Sequence, residues 1–157
     1  IILNSRKIND KMPEHVVTLI QRALQEKNKN LENSLISVLG TAYKANVSDV
    51  RNSPSEKIIK QLLDFSCKIK VNDPNTDTSF GGLYEKNILK TVEKSDLLVI
   101  LTDHDEYKKL NLQALREIMN ENPILVDTKR VFDKKIADDA GFLYVSVGYH
   151  SLGDKIN

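Results

Sequence analysis

Residues 37–54 read SVLGTAYKANVSDVRNSP, and the fold follows from how this stretch begins. With the two preceding residues it opens as a mostly apolar run, LISVLG (35–40), the pattern of a strand buried on both faces. The run ends in a glycine, as does the strand that leads into a dinucleotide-binding turn. There the likeness to such a turn stops. Where two more glycines would follow, the loop carries Tyr43, Lys44 and Arg51. It closes at Pro54, a residue suited to the first position of a helix because its missing N–H leaves no donor unpaired.

Outward from this loop, short apolar runs alternate with helical periods. A helix is expected over 55–65, a strand over 68–73 and a helix over 83–94. A second fully apolar strand, SDLLVILT, follows at 95–102. Beyond a DHDEY turn come a helix over 110–120, a strand over 123–128, a helix over 131–140 stopped by Gly141, and a last strand over 142–148. Upstream, Ile8, Met12, Val16, Leu19, Ile20 and Leu24 recur at three- and four-residue steps, giving one amphipathic helix from about Ser5 to Gln25. Pro13 is expected to kink or restart it, with Asp10 as a cap. Five strands separated by helices define an α/β fold, a Rossmann-like three-layer sandwich around a five-stranded parallel sheet. Right-handed crossovers make 3-2-1-4-5 the economical strand order. The division is residues 1–30 as helix and polar linker (KNKNLEN) and 31–157 as the domain.

Composition excludes several classes of partner. The 157 residues carry 23 basic and 22 acidic side chains, a net charge of +1. No whole-molecule field draws in nucleic acid or an anionic membrane, so any anion site must be local. No apolar run approaches the roughly 18 residues of a membrane span. No signal peptide is recognisable, and one cysteine, Cys67, permits no internal disulfide, which together point to the cytoplasm. The chain opens IILNSRKIND without an initiator methionine and is expected to be a piece of a longer protein.

In an open parallel sheet, ligands sit beyond the carboxyl ends of the strands where the order reverses. The expected order puts the loop 40–54 there, facing the loop 127–131. Together they offer Tyr43, Lys44, Asp49, Arg51, Asp127, Lys129 and Arg130. Converging on a helix N-terminus, the cations would make a diphosphate site: lysine as a point charge, arginine as a bidentate fork. The alternative leaves them solvated, or paired with Asp49 and Asp127. No GxxxxGK[ST] or GxGxxG follows any strand, and Gly81-Gly82 reads as a turn. Asp73 ends the second strand where an NAD fold keeps its ribose-binding acid, but Pro74 after it favours an Asx turn. NAD is therefore not expected on this chain. Cys67 reads as a buried structural thiol. His104 borders the cleft, with Thr102 or Asp103 capping the next helix. Around His15 and His150 no cysteines or carboxylates cluster at ligand spacing in the sequence, so no metal is expected, and no catalytic group is expected on this chain.

These residues carry a resemblance. LGTAYKANVSDVRNSPSEKII resembles the opening of the C-terminal UDP-binding domain of the UDP-glucose/GDP-mannose dehydrogenase family: strand, glycine, an aromatic-lysine pair, then Asp-x-Arg-x-Ser-Pro. VNDP, LLVILTDHDEY and LVDTKRVFD resemble its later strand ends. SRKINDKMPEHVV resembles the end of the helix that joins the middle domain to this one, in the form of the branch that oxidises UDP-N-acetylmannosamine.

The resemblance implies an NAD-dependent oxidation of a sugar C6 hydroxyl to the acid through a catalytic cysteine. NAD and that cysteine would lie in an N-terminal domain absent here, and Cys67 does not match the cysteine motif. It implies UDP-sugar contacts for Tyr43, Lys44 and Arg51. Lys129 stands where many members carry arginine, with Arg130 beside it, and either could reach the ligand. It implies a homodimeric parent enzyme and a fragment inactive alone. The competing reading is a stand-alone Rossmann-like enzyme for a small phosphorylated metabolite; a third is a structural domain that oligomerises through its first helix.

Overall fold

A computed structural model describes residues 2–147, with side chains from Lys11 onward. Gly148, the expected end of the last strand, and His150 lie outside the described residues, as do the side chains of Ile8 and Asp10. Six strands form one parallel sheet: β1 (Leu35–Leu39), β2 (Lys68–Asn72), β3 (Leu83–Tyr84), β4 (Leu97–Ile100), β5 (Ile124–Asp127) and β6 (Leu143–Ser146). Their order is β3-β2-β1-β4-β5-β6. The helices are α1 (Ile2–Glu26), α2 (Pro54–Asp64), α3 (Ile88–Val92), α4 (Asp105–Lys108), α5 (Leu112–Ile118) and α6 (Lys134–Asp139).

Period-two alternation divides the strand side chains between two cores. Ile36 and Val38 of β1, Leu97 and Val99 of β4, and Ile124 and Val126 of β5 pack on one face with α1 and α2. Leu39, Leu98, Ile100 and Leu125 pack on the other with Val92, Leu112, Leu115 and Ala137 of α3, α5 and α6. The right-handed crossover from β1 to β2 places α2 on the first face, and those from β3 to β4, β5 and β6 place α3, α5 and α6 on the second. Half of the first face, over β4 to β6, would then lie bare. The long first helix covers it.

That burial explains why Pro13 does not break α1, which runs through it without restarting, with Asp10 inside the helix rather than ahead of it. An interior proline costs about 3 kcal/mol. Burying Val16, Val17, Leu19, Ile20 and Leu24 contributes about 1.5–3 kcal/mol for each side chain, so packing outweighs the missing bond.

The sheet corrects the expected strand count and order. Residues 83–94 are not one helix. Leu83 and Tyr84 pair with Lys70 and Val71 as a sixth, edge strand, and Asn87 then caps α3 by accepting from Lys90 N at 3.0 Å. The position beyond β2 is thereby occupied, and the five expected strands take the order 2-1-3-4-5. All four residues of β4 are fully buried, whereas Leu83 is 65% exposed. An all-apolar strand gains most at the sheet centre, covered on both faces, and a short mixed one tolerates the edge.

Candidate functional site

The reversal of strand order now falls between β1 and β4, so the loop after β4 lies in the crevice between the loops after β1 and β5. Neighbouring strands are about 4.8 Å apart, which separates the outer two loops by about 10 Å at their origins.

The turn after β1 is shaped by Gly40. Its φ is +101°, and a Cβ there would lie 2.7 Å from the backbone nitrogen of Thr102 at the end of β4. The next amides, those a phosphate would use in a glycine-rich turn, are already bound. Asp73 Oδ2 accepts from Thr41 N at 2.8 Å and Ala42 N at 3.0 Å. Its Oδ1 accepts from Asn75 N at 2.8 Å, the expected Asx turn. Oδ2 also meets His104 Nε2 at 2.9 Å. Burial acts to raise the Asp73 carboxyl, but the hydrogen bonds from His104, Asn75, Thr41 and Ala42 outweigh it and hold the group below the usual carboxylate value. The residues present do not fit the pyrophosphate of NAD: an internal carboxylate holds the amides it would need.

Behind this layer, Tyr107 is fully buried and donates to the backbone oxygen and Oδ1 of Asn72, each at 3.0 Å. Burial, with the charge of Asp73, pushes its hydroxyl well above the ordinary tyrosine range. Asn72 Nδ2 donates to the carbonyls of Glu85 and Lys86, tying the crevice floor to the edge strand.

The five expected site residues stand on the rim. Tyr43 is 55% exposed, and Lys44 is exposed beside it. Tyr43 N donates to Asp49 O at 2.6 Å, closing the loop on itself. Arg51 is exposed and paired: Nε and Nη2 donate to the two oxygens of Asp49 at 3.1 and 2.9 Å. Hydrogen bonds from the Arg51 side chain and backbone lower the Asp49 carboxyl to about 2, and Asp49 in turn raises the guanidinium. An anion at Arg51 must share the fork with Asp49. Ser53 caps α2, accepting from Ser55 N at 3.3 Å, with Pro54 at the first turn.

Across the crevice, Lys129 and Arg130 are exposed on the loop after β5. Asp127 is turned inward. It is fully buried and accepts from the backbone: Lys129 N at 3.3 Å and Val131 N at 3.0 Å on Oδ1, and Phe132 N at 2.9 Å on Oδ2. The Tyr144 hydroxyl donates to the same Oδ2 at 3.0 Å. Burial and then Asp127 push that hydroxyl well above its ordinary value. Arg130 has a φ of +52°. Asp127 therefore acts as an acceptor that folds the loop.

One residue of the sequence reading changes place. His104 is fully buried rather than on the cleft border. It is itself the residue before α4, and the first amide of that helix is capped from another loop, by Asn46 Oδ1 to Asp105 N at 3.1 Å, not by Thr102 or Asp103. Nothing in local spacing signals this, because Asp73 and His104 stand 31 residues apart. Cys67 is buried and donates to Leu62 O at 3.2 Å, with burial raising its thiol. Among the described residues, no group of histidine, cysteine or carboxylate side chains is placed to hold a metal, and no helix is long and apolar enough to cross a membrane.

A doubly wound parallel sheet, with cations on the loops at its switch point and a carboxylate holding the amides of the glycine turn, defines a Rossmann-like domain. Residues 37–134 match the UDP binding domain of the UDP-glucose/GDP-mannose dehydrogenase family, and the chain belongs to that family. It is 37% identical to UDP-N-acetyl-D-mannosamine dehydrogenase of Methanococcus vannielii over 90% of this chain and 33% of that protein. It is 31% identical to UDP-glucose 6-dehydrogenase of Rickettsia bellii, over 94% of this chain and 34% of that protein. Among solved structures, NDP-N-acetyl-D-galactosaminuronic acid dehydrogenase from Methanosarcina mazei superposes with a TM-score of 0.89 at 28% identity, covering 95% of this chain and 32% of that one. The chain thus spans about a third of the length of the relatives it matches.

Proposed function

We propose that this chain is the UDP-sugar-binding part of an NAD-dependent nucleotide-sugar 6-dehydrogenase, and that it performs no oxidation alone. The carrying observation is the rim itself: Tyr43, Lys44 and Arg51 on the loop after β1, and Lys129 and Arg130 on the loop after β5. Membership in a UDP binding domain family supports the ligand. The likeness to UDP-N-acetyl-D-mannosamine dehydrogenase favours that sugar over UDP-glucose.

Lys44 and Arg51 take the diphosphate oxygens from one side, Lys129 or Arg130 from the other, and Tyr43 offers its ring to the base or ribose. NAD and the catalytic cysteine belong to sequence outside this chain, because Asp73 holds the amides of the glycine turn and Cys67 is buried away from the rim. Long side chains on a domain edge suit a lid that closes over a ligand seated on another domain. In the parent enzyme, residues 1–30 are the end of the inter-domain helix and linker, and 31–157 the UDP-sugar-binding domain. That parent is a cytoplasmic dimer without nucleic-acid or membrane partners.

UDP at about a hundred times its Kd stabilises by about 2.7 kcal/mol. That raises Tm by about 5–10 °C for a domain of this size. Lys44→Ala combined with Arg51→Ala removes the rise. Single Lys129→Ala and Arg130→Ala variants identify which of the two takes part. A wild-type Tm unmoved by saturating UDP would overturn the proposal.

A further inference from the structure

We infer that His104, seated on Asp73, is a positioning residue that holds the Tyr43-Lys44-Ala45 segment in its binding shape. The segment hangs between two amides. The first, Ala42 N, donates directly to Asp73 Oδ2 at 3.0 Å. The second, Asn46 N, donates to His104 Nδ1 at 2.8 Å, and His104 Nε2 lies 2.9 Å from the same Asp73 oxygen. Both ends of the segment therefore trace to one buried carboxylate, one directly and one through the imidazole. Asn46, at φ +64°, turns the chain and lends its Oδ1 to Asp105 N, so it also fastens the segment to α4.

The hydrogen-bond directions fix the state of the ring. A peptide N–H only donates, so Nδ1 must be bare, and the ring proton sits on Nε2, where it is given to Asp73. The side chains of His104 and Asp73 are both fully buried, so neither touches a ligand on the rim. The ring acts through what it holds: the backbone on either side of Lys44 and Tyr43.

Two substitutions separate positioning from mere core filling. In His104→Asn the side-chain oxygen falls near the place of Nδ1 and can accept from Asn46 N. In His104→Gln the amide nitrogen falls near Nε2 and can serve Asp73, while Asn46 N loses its acceptor. Hydrogen exchange at Asn46 is expected to quicken about tenfold in the Gln variant, the size of one lost hydrogen bond, and to stay near wild type in the Asn variant. The Kd for UDP, resting on the function proposed above, is expected to weaken about tenfold in the Gln variant and to recover in the Asn variant. Equal exchange and equal Kd in the two variants would overturn the inference. Exchange that divides as expected with no UDP binding even by wild type would instead overturn the proposed function and leave the positioning role standing. Nitrogen-15 spectra of the wild-type ring give a reading that needs no variant: Nδ1 must be the unprotonated nitrogen, and a proton found there overturns the assignment.

Discussion

Asp127→Asn tests how the loop after β5 is built. The carboxylate is fully buried and serves three amides and a hydroxyl. An asparagine keeps one acceptor oxygen. Placed on the Oδ1 side, it retains Lys129 N and Val131 N and turns its NH2 toward Phe132 N and the Tyr144 hydroxyl. Tyr144 can adapt: it already donates to Phe132 O at 2.8 Å, and its oxygen can accept from the new NH2. Phe132 N cannot, and an orphaned buried amide costs about 1–3 kcal/mol. The two retained bonds also lose their charge assistance, a further roughly 0.5–1 kcal/mol each. The sum is about 3 kcal/mol, or a Tm lowered by about 6–12 °C. Asp127→Ala, which removes every acceptor, costs more. Differential scanning calorimetry gives the first number, and UDP titration shows whether the loosened loop takes Lys129 and Arg130 out of play. An Asp127→Asn protein that melts within about 1 °C of wild type, smaller than any of these terms, would refute the account of this loop.

The remaining expectations are briefer. Gly40→Ala places a Cβ 2.7 Å from Thr102 N at a φ of +101°. Left-handed strain of about 1–2 kcal/mol and overpacking of about 1–3 kcal/mol should appear together in urea melts. Ile20→Ala in α1, at a fully buried position, should cost about 2–5 kcal/mol; a smaller loss would mean that α1 packs loosely on the sheet. Asp73 titrates below its ordinary value in the folded chain. Its contribution is therefore present above about pH 4 and is lost as pH falls through the folded value, which denaturation across the acid range would detect. Tyr107 and Tyr144 are raised. Their contribution is complete below about pH 10 and is lost as pH climbs toward the folded values, so tyrosinate absorbance from these two should appear only with unfolding.

The sequence by itself determined the elements that rest on local chemistry. The apolar runs LISVLG and DLLVILT could only be buried strands. Pro54 was suited to start a helix, and Asp73-Pro74 favoured a turn. The cations of the loop 40–54 were also legible, because Lys44 and Arg51 stand in one contiguous stretch after an apolar strand. Tertiary structure decided what depends on competition between elements. A two-residue edge strand carries no periodicity, yet by taking the outer place beside β2 it sent β4 to the sheet centre and moved the switch point. Pro13 reads as a break until the uncovered half of the sheet is seen to need one continuous helix. His104 looked like a bystander because its partners, Asp73 and Asn46, are neighbours only after three parallel strands have set their ends side by side. Hydrogen bonds to a buried carboxylate are chosen by where chain ends converge, and no local pattern records that.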